Sequence, residues 1–242
     1  MAVKINASGM HYKDVNEAVR KAAEKDVIVE NALGHRYIGD GVTDKNIEIL
    51  GTPGNGLGAY LNKCTIIVRG NAQDATGDTM NQGEITVYGC VGDACGYGMR
   101  DGRIFVKGDA GYRAGIHMKE YQEHIPRIII GGRTGSFLGE YQAGGRIIVL
   151  GLGFEGRQCV GGYCGTGMHG GKIFLRTDMM PIALPAQVCC VDAAPSDLDE
   201  IRADVCDYAE KFGVDAEAIL ASHFYMLTPN SANPYTQLYV NH

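Results

Sequence analysis

The sequence has no tryptophan, little proline and no apolar run approaching the ~18–20 residues that span a bilayer, so no transmembrane helix is expected. Met1 to Asn6 is a short alternating run without a cationic-then-apolar leader, which argues against a secretory signal. There is no basic excess either. Twenty-two Lys and Arg stand against 28 Asp and Glu, a formal net charge of −6, whereas a nucleic-acid partner needs a basic face. Eight cysteines are present, but nothing marks the chain for export, so reduced thiols and a cytoplasmic location are expected. What abounds is glycine: 35 of 242 residues, about twice the usual share of ~7%. It shows neither the every-third spacing of collagen nor the Ser/Pro company of a flexible linker. The glycine therefore calls for a structural explanation.

The explanation is a repeat. An isoleucine recurs at 47, 66, 85, 104, 128, 147 and 173, spaced by 19 residues except where five or seven more intervene. Two residues after each stands an aliphatic: Ile49, Val68, Val87, Val106, Ile130, Val149 and Leu175. Four residues after the first six stands a glycine, from Gly51 to Gly151, and Thr177 replaces it in the seventh. A second glycine follows the isoleucine by eleven residues at 58, 77, 96, 115 and 139, and a third closes most units at 83, 102, 145 and 171. A period-two strand, a glycine corner and constant length describe a β-solenoid whose units stack about 4.8 Å apart. Glycine at the corners permits positive φ and lets neighbouring turns approach closely. The residues that follow the ladder isoleucines should point outward. They are Glu48, Ile67, Thr86, Phe105, Ile129, Ile148 and Phe174, mostly apolar, so either the terminal helices or a partner must cover them.

Two stretches outside the repeat read as helical. Asp14 to Glu24 has Asp14 as cap and Val15, Ala18, Val19 and Ala22 as apolar stripe. From Ser196 to Phe224, Leu198, Ile201, Val205, Tyr208 and Phe212 recur at helical spacing, Gly213 ends the run, and Asp215 caps a second helix through Leu220. Thr228 to His242 reads as an extended tail. The expected organisation is an N-terminal strand and helix cap over 1–45, the repeat domain over 46–178, and a C-terminal helical segment with tail over 179–242.

Candidate chemistry is sparse. Gly151-Leu-Gly-Phe-Glu-Gly156 follows a strand as a dinucleotide loop would, but no helical pattern comes after it to hold a pyrophosphate. Cys90/Cys95 and Cys159/Cys164 form two C-x4-C pairs at equivalent positions of the third and sixth units, about 14 Å apart along the stack. That is too far for four thiolates on one metal, and Leu57, Thr76, Ala114 and Leu138 at the Cys95 position favour a small buried side chain. His117, Glu120, Glu123 and His124 accompany the five-residue insertion and read as a solvated protrusion or contact loop. Cys189-Cys190 has no evident base beside it. The methionines at 80, 99, 118 and 168 read as core filling. No catalytic, cofactor-binding or metal residues are assigned.

The runs Gly56-Leu-Gly-Ala-Tyr-Leu-Asn-Lys63, Gly70-Asn-Ala-Gln-Asp-Ala-Thr-Gly77 and Gly144-Gly-Arg-Ile-Ile-Val-Leu-Gly151 resemble the C-terminal GXGXG domain of the glutamate synthase large subunit, over roughly residues 30 to 177. That resemblance implies a mainly β chain: a single-stranded right-handed parallel β-helix of about seven coils with N- and C-terminal helical flanks. It implies a non-catalytic scaffold of the stand-alone "domain 3" type, because this chain begins at Met1 without glutaminase or flavin barrel. The partners implied are glutaminase-type and FMN- and iron–sulfur-carrying subunits, which perform glutamine-dependent amination of 2-oxoglutarate. FMN and the cluster then sit on the partners and not on this chain. The alternative is the similar subunit of a formylmethanofuran dehydrogenase-like enzyme. A left-handed hexapeptide-repeat acyltransferase fits less well, since three six-residue sides give 18 and not 19. A homo-oligomer is compatible with the outer stripe; a nucleic-acid or membrane partner is not expected.

Overall fold

The computed structural model describes residues 2–230. Strands β1 (Val3–Asn6), β2 (Asp26–Leu33), β3 (Asn46–Thr52), β4 (Cys64–Val68), β5 (Gly83–Val87), β6 (Arg103–Val106), β7 (Arg127–Ile130), β8 (Ala143–Val149) and β9 (Gly170–Arg176) lie side by side in chain order, all parallel. Strands β10 (Val188–Asp192) and β11 (Phe224–Pro229) complete the sheet in the order β9-β11-β10, both junctions antiparallel. Helix α1 (Tyr12–Lys21) lies between β1 and β2; α2 (Pro195–Asp199), α3 (Arg202–Phe212) and α4 (Ala216–Leu220) lie between β10 and β11.

The expected right-handed parallel β-helix of about seven coils with helical flanks is thereby corrected to a single 11-stranded, mostly parallel sheet with few helices. The N-terminal flank supplies two more parallel strands, β1 and β2, and the C-terminal flank supplies the antiparallel pair β10 and β11. The reason is local. β1 and β2 keep the inward aliphatics Val3, Ile5, Val27 and Val29 but carry Ala7 and Asn31 where later strands place glycine, so the glycine signature misses them. The expected tail beyond Asn230 lies outside the described residues.

The register follows the repeat. Ile47, Ile66, Ile85, Ile104, Ile128, Ile147 and Ile173 are successive Cα partners, preceded in the same row by Val3 and Val27. These isoleucines and the aliphatics two residues on are buried, at 1% exposure or less. After each of β2 to β8 the chain makes a loop that bonds to the loops of neighbouring layers: Gly96 N donates to Thr76 O (2.7 Å), Ala94 N to Tyr112 O (2.8 Å) and Gly98 N to Ile116 O (2.8 Å). Each loop sends two side chains back onto the strands. One row is Ile38, Leu57, Thr76, Cys95, Ala114, Leu138 and Cys164; the other includes Leu61, Met80, Met99 and Met118. The main core is the space between strands and loops.

The loops turn by alternation. Residues 94, 96 and 98 all have φ near +55 to +69, and their counterparts in other layers do the same, at Tyr37, Gly39 and Gly41 through to Tyr163, Gly165 and Gly167. The outer two positions admit Tyr, Ala, Thr, Arg, Phe or His, while the middle one is always glycine. Packing explains the difference. A Cβ on Gly96 would lie 2.3 Å from Ile128 Cδ1, the ladder side chain two layers on. Glycine four residues after the isoleucine has another cause: Gly89 lacks a positive φ, but its Cβ would lie 2.2 Å from Asn71 Oδ1 and 2.8 Å from Gly70 O.

The outward apolar row is covered over its second half by the chain itself. Phe105, Ile129, Ile148 and Phe174 are buried beneath Ile201, Val205 and Tyr208 of the α2–α3 segment and Ile219 and Leu220 of α4. Burial of large apolar side chains at roughly 1.5–3 kcal/mol each makes this second core a main support of the C-terminal segment. Gly213, at φ 70, ends α3, and Asp215 caps α4 by accepting from the backbone N–H of Glu217 and Ala218. At α1 the cap is His11, whose ring accepts from Lys13 N, with Asp14 in the first turn; the sequence expectation had put Asp14 itself at the cap. Asp14 there still favours the helix dipole.

Candidate functional site

Three places combine polar groups with shape. The first is a charged row at the helix-covered face. The residue before each ladder isoleucine in the later strands is charged: Glu84, Arg103, Arg127, Arg146 and Lys172. Arg103 bridges Glu84 (2.8 Å) and Asp207; Lys211 reaches Glu84 (2.7 Å); Arg127 meets Asp204 (3.3 Å); Arg146 (3.6 Å) and Lys172 (2.6 Å) share Glu200. Asp204 is 2% exposed at its side chain, and burial raises its pKa against the pull of Arg127, Arg103 and Arg146. This row aligns α3 on the sheet. It was readable once the period was known, but nothing in a single unit announces it.

The second is the junction of β9, β10 and β11. His223 Nδ1 bonds Thr177 O (2.7 Å) and Nε2 bonds Asp192 Oδ1 (3.0 Å). Both partners are acceptors, so the doubly protonated ring satisfies both, and its pKa is raised by the Thr177 carbonyl and then by Asp192. A raised folded pKa means that the stabilisation is complete below the ordinary histidine value of about 6.5 and is lost as pH rises through the raised value. The melting temperature of the native chain should therefore fall more between pH 6 and pH 8.5 than that of His223→Ala. Parallel pH profiles would refute this assignment.

Beside His223 lies Gly151–Gly156. All three glycines of this loop have positive φ, and no helix begins until Pro195. The helix N-terminus that a dinucleotide loop presents to pyrophosphate is missing at this point.

The third is a surface cavity of about 720 Å³ lined by Thr79, Asn81, Tyr97, Gly98, Arg100, Asp101, His117, Lys119, Tyr121 and His124. The insertion after the fourth ladder unit makes its overhang. Tyr121 and His124 exchange backbone hydrogen bonds in a tight turn, and His124 Nδ1 bonds Asp101 Oδ2 at 2.8 Å. That bond raises the pKa of His124. His117 is held edge-on to Tyr97 and stacked on Tyr141, with centroids 5.7 and 5.1 Å apart. Glu120 turns away, accepting from Gly145 N at 2.8 Å. Of the insertion residues singled out in the sequence, the structure brings His117 and His124 to one cavity and leaves Glu120 and Glu123 out of its lining. Sequence reasoning missed Arg100, Lys119 and Tyr97; the signal available was the 19-residue column Asn81, Arg100, Lys119.

The cysteines divide by exposure. Cys95 and Cys164 are fully buried in the loop row facing the strands, and Cys159 is 2% exposed; Cys90, Cys189 and Cys206 face solvent. Burial pushes the Cys95 thiol up to about 12, Cys159 up to about 11 and Cys164 higher still. Cys90 and Cys159 do occupy equivalent loop positions, joined through the backbone bonds Val91 N to Asp109 O, Ala110 N to Arg133 O and Thr134 N to Cys159 O. Among the described residues, no three His, Cys, Asp or Glu converge as a metal-holding group. N-ethylmaleimide at pH 7.5 should label Cys90, Cys189 and Cys206 in the folded chain, and Cys95, Cys159 and Cys164 only after denaturation, as read by peptide mass spectrometry.

Strands one per layer, alternating left-handed loops and a helix-covered outer face define a layered, mostly parallel β fold. The chain belongs to the GXGXG motif family, whose model matches residues 13–230. An uncharacterised protein of Methanocaldococcus jannaschii is 42% identical over 98% of this chain and 96% of its own length. Among solved structures, the formyltransferase/hydrolase complex from Methylorubrum extorquens in complex with methylofuran contains a chain that superimposes with a TM-score of 0.70. That match covers 93% of each chain at 16% identity, a likeness of fold. Among the described residues, no helix is long and apolar enough to cross a membrane.

Proposed function

We propose that this chain is a non-catalytic scaffold subunit of a glutamate synthase-type complex, in which partner subunits carry the glutaminase, FMN and iron–sulfur chemistry. The observation that carries the reading is the loop side of the molecule. Tyr37, Tyr60, Tyr97, Tyr112, Tyr121 and Tyr163 all stand exposed there on a hydrogen-bonded framework. Tyrosine held rigidly on a surface is the residue type most enriched, with Trp and Arg, where proteins bind one another. Membership of the GXGXG motif family supports the choice of complex.

The test is native purification of the tagged chain at its own expression level, followed by mass spectrometry and absorbance. Co-purification with glutaminase-type and flavin- and iron–sulfur-containing subunits is expected, while the chain purified alone shows no flavin spectrum. Glutamine-dependent glutamate formation by the isolated chain would overturn the scaffold role. A second reading, a subunit of a formylmethanofuran dehydrogenase-like enzyme, draws support from the shared fold of the formyltransferase/hydrolase complex chain. Recovery of a molybdenum- or tungsten-containing partner would select it.

A further inference from the structure

The cavity beneath the insertion carries two features that the scaffold reading does not use. Arg100 and Lys119 occupy the same position in consecutive layers, about 4.8 Å apart at the backbone, with Arg100 N bonded to Met80 O and Lys119 N to Met99 O. Like charges side by side in a parallel ladder repel, yet neither side chain has a hydrogen bond or ion pair among the described residues. The one acid in the lining does not neutralise them. Asp101 Oδ1 accepts from Gly102 N (2.7 Å) and Oδ2 from His124 (2.8 Å). In a chain of net charge −6, this is a local concentration of positive charge facing an open space.

The second feature is the floor. The loop position occupied by Gly98 is left-handed in every layer, and its neighbours in the column are Tyr60, Thr79, His117 and Tyr141. A side chain is therefore compatible with the backbone there. Space is available as well, since a Cβ on Gly98 would meet only Thr79 Oγ1, at 3.6 Å. Unlike Gly96, Gly98 is not demanded by packing, and its column neighbours show that a side chain is tolerated in its left-handed conformation at a cost of about 1 kcal/mol. Its effect is to remove one side chain from a column of larger ones, which leaves a recess between Thr79 and His117, walled by Tyr97 and overhung by Tyr121.

We propose that this recess is a binding site for a nucleoside monophosphate. The Arg100 and Lys119 cations take the phosphate dianion, and the planar base lies against the tyrosines, whose stacking tolerates any base. A cavity of about 720 Å³ lies within the ~300–1,000 Å³ of small-ligand sites. Neither group suffices alone, so the site discriminates in favour of molecules that carry both a ring and a phosphate.

Calorimetric titration of the full chain with the 5′-monophosphates of adenosine, guanosine, cytidine and uridine tests this, with adenosine and inorganic phosphate as separate arms. At least one monophosphate should bind, about tenfold or more tighter than adenosine or phosphate. Arg100→Ala/Lys119→Ala should weaken it about tenfold or more while the melting temperature stays within a degree or so, because neither side chain has a partner to lose among the described residues. Gly98→His, which places in the recess the residue of the next layer, should abolish binding and leave the fold intact. Failure of all four nucleotides to bind, or binding indifferent to these variants, would overturn the proposal. So would tight binding of a glutamate-rich peptide without nucleotide binding, which would assign the recess to a protein partner.

Discussion

Gly96→Ala should destabilise the chain by roughly 2–4 kcal/mol, while Gly156→Ala should cost roughly 1 kcal/mol. Both glycines sit at φ +69, so the conformational penalty of a left-handed alanine is common to the two. They differ in surroundings. The new methyl at Gly156 meets nothing within 4 Å, whereas at Gly96 it would overlap Ile128 Cδ1 at 2.3 Å and approach Ile104 Cδ1 at 3.7 Å. Ile128 is fully buried and cannot swing to solvent, so the clash propagates into the ladder. Urea denaturation of the two variants separates the terms. Equal losses would mean that the middle loop glycine serves conformation alone and that the packing account is wrong.

Tyr208→Ala is expected to cost a further large amount, roughly 3–5 kcal/mol, with exposure of the outer row as a second readout. Tyr208 is 1% exposed, packs on Phe212 with ring centroids 4.7 Å apart, and its hydroxyl donates to Lys107 O at 3.1 Å. Gly131 makes room for this contact, since a Cβ there would lie 1.9 Å from the hydroxyl. Tyr208→Phe keeps the ring and loses only the hydrogen bond, so it should cost about 1 kcal/mol. The alanine variant should bind an apolar dye such as ANS and self-associate, because Phe105, Ile129 and Ile148 lose their cover. If its oligomeric state, dye response and stability match those of the native chain, α3 is not the element that holds the outer face closed.

Much of the sheet was legible in the sequence, because one unit constrains the next. The isoleucine row read off at 19-residue spacing is the row of Cα partners, and Cys95 and Cys164 sit where small or apolar residues stand in the other layers. The closed overall form expected from the family resemblance was not obtained, and two causes are visible in the residues. Strands β1 and β2 lack the glycine that stands four residues after the ladder isoleucine in β3 to β8, and β10 finds β11 across three helices with no hairpin turn between them. The loops held a different surprise. Glycine at the corners was expected to permit positive φ, and Tyr37, Ala75, Ala94, Arg113, Phe137 and Tyr163 adopt that conformation without it, held by layer-to-layer hydrogen bonds. Of the cavity, the column Arg100–Lys119 was in the sequence, whereas the pairing of His124 with Asp101 depends on how the insertion folds back, which spacing does not encode.

The one-strand-per-layer register also makes the molecule a ruler. From β1 to β9 the eight steps set a span of about 38 Å, and whatever binds near one end is held at that distance from whatever binds near the other. Such a ruler has graduations. Adding or deleting one whole unit moves the ends by about 4.8 Å, while shorter insertions, such as those between Ile104 and Ile128 and between Ile147 and Ile173, are taken up in the loops and leave the register intact, so distances between bound partners can evolve only in whole steps.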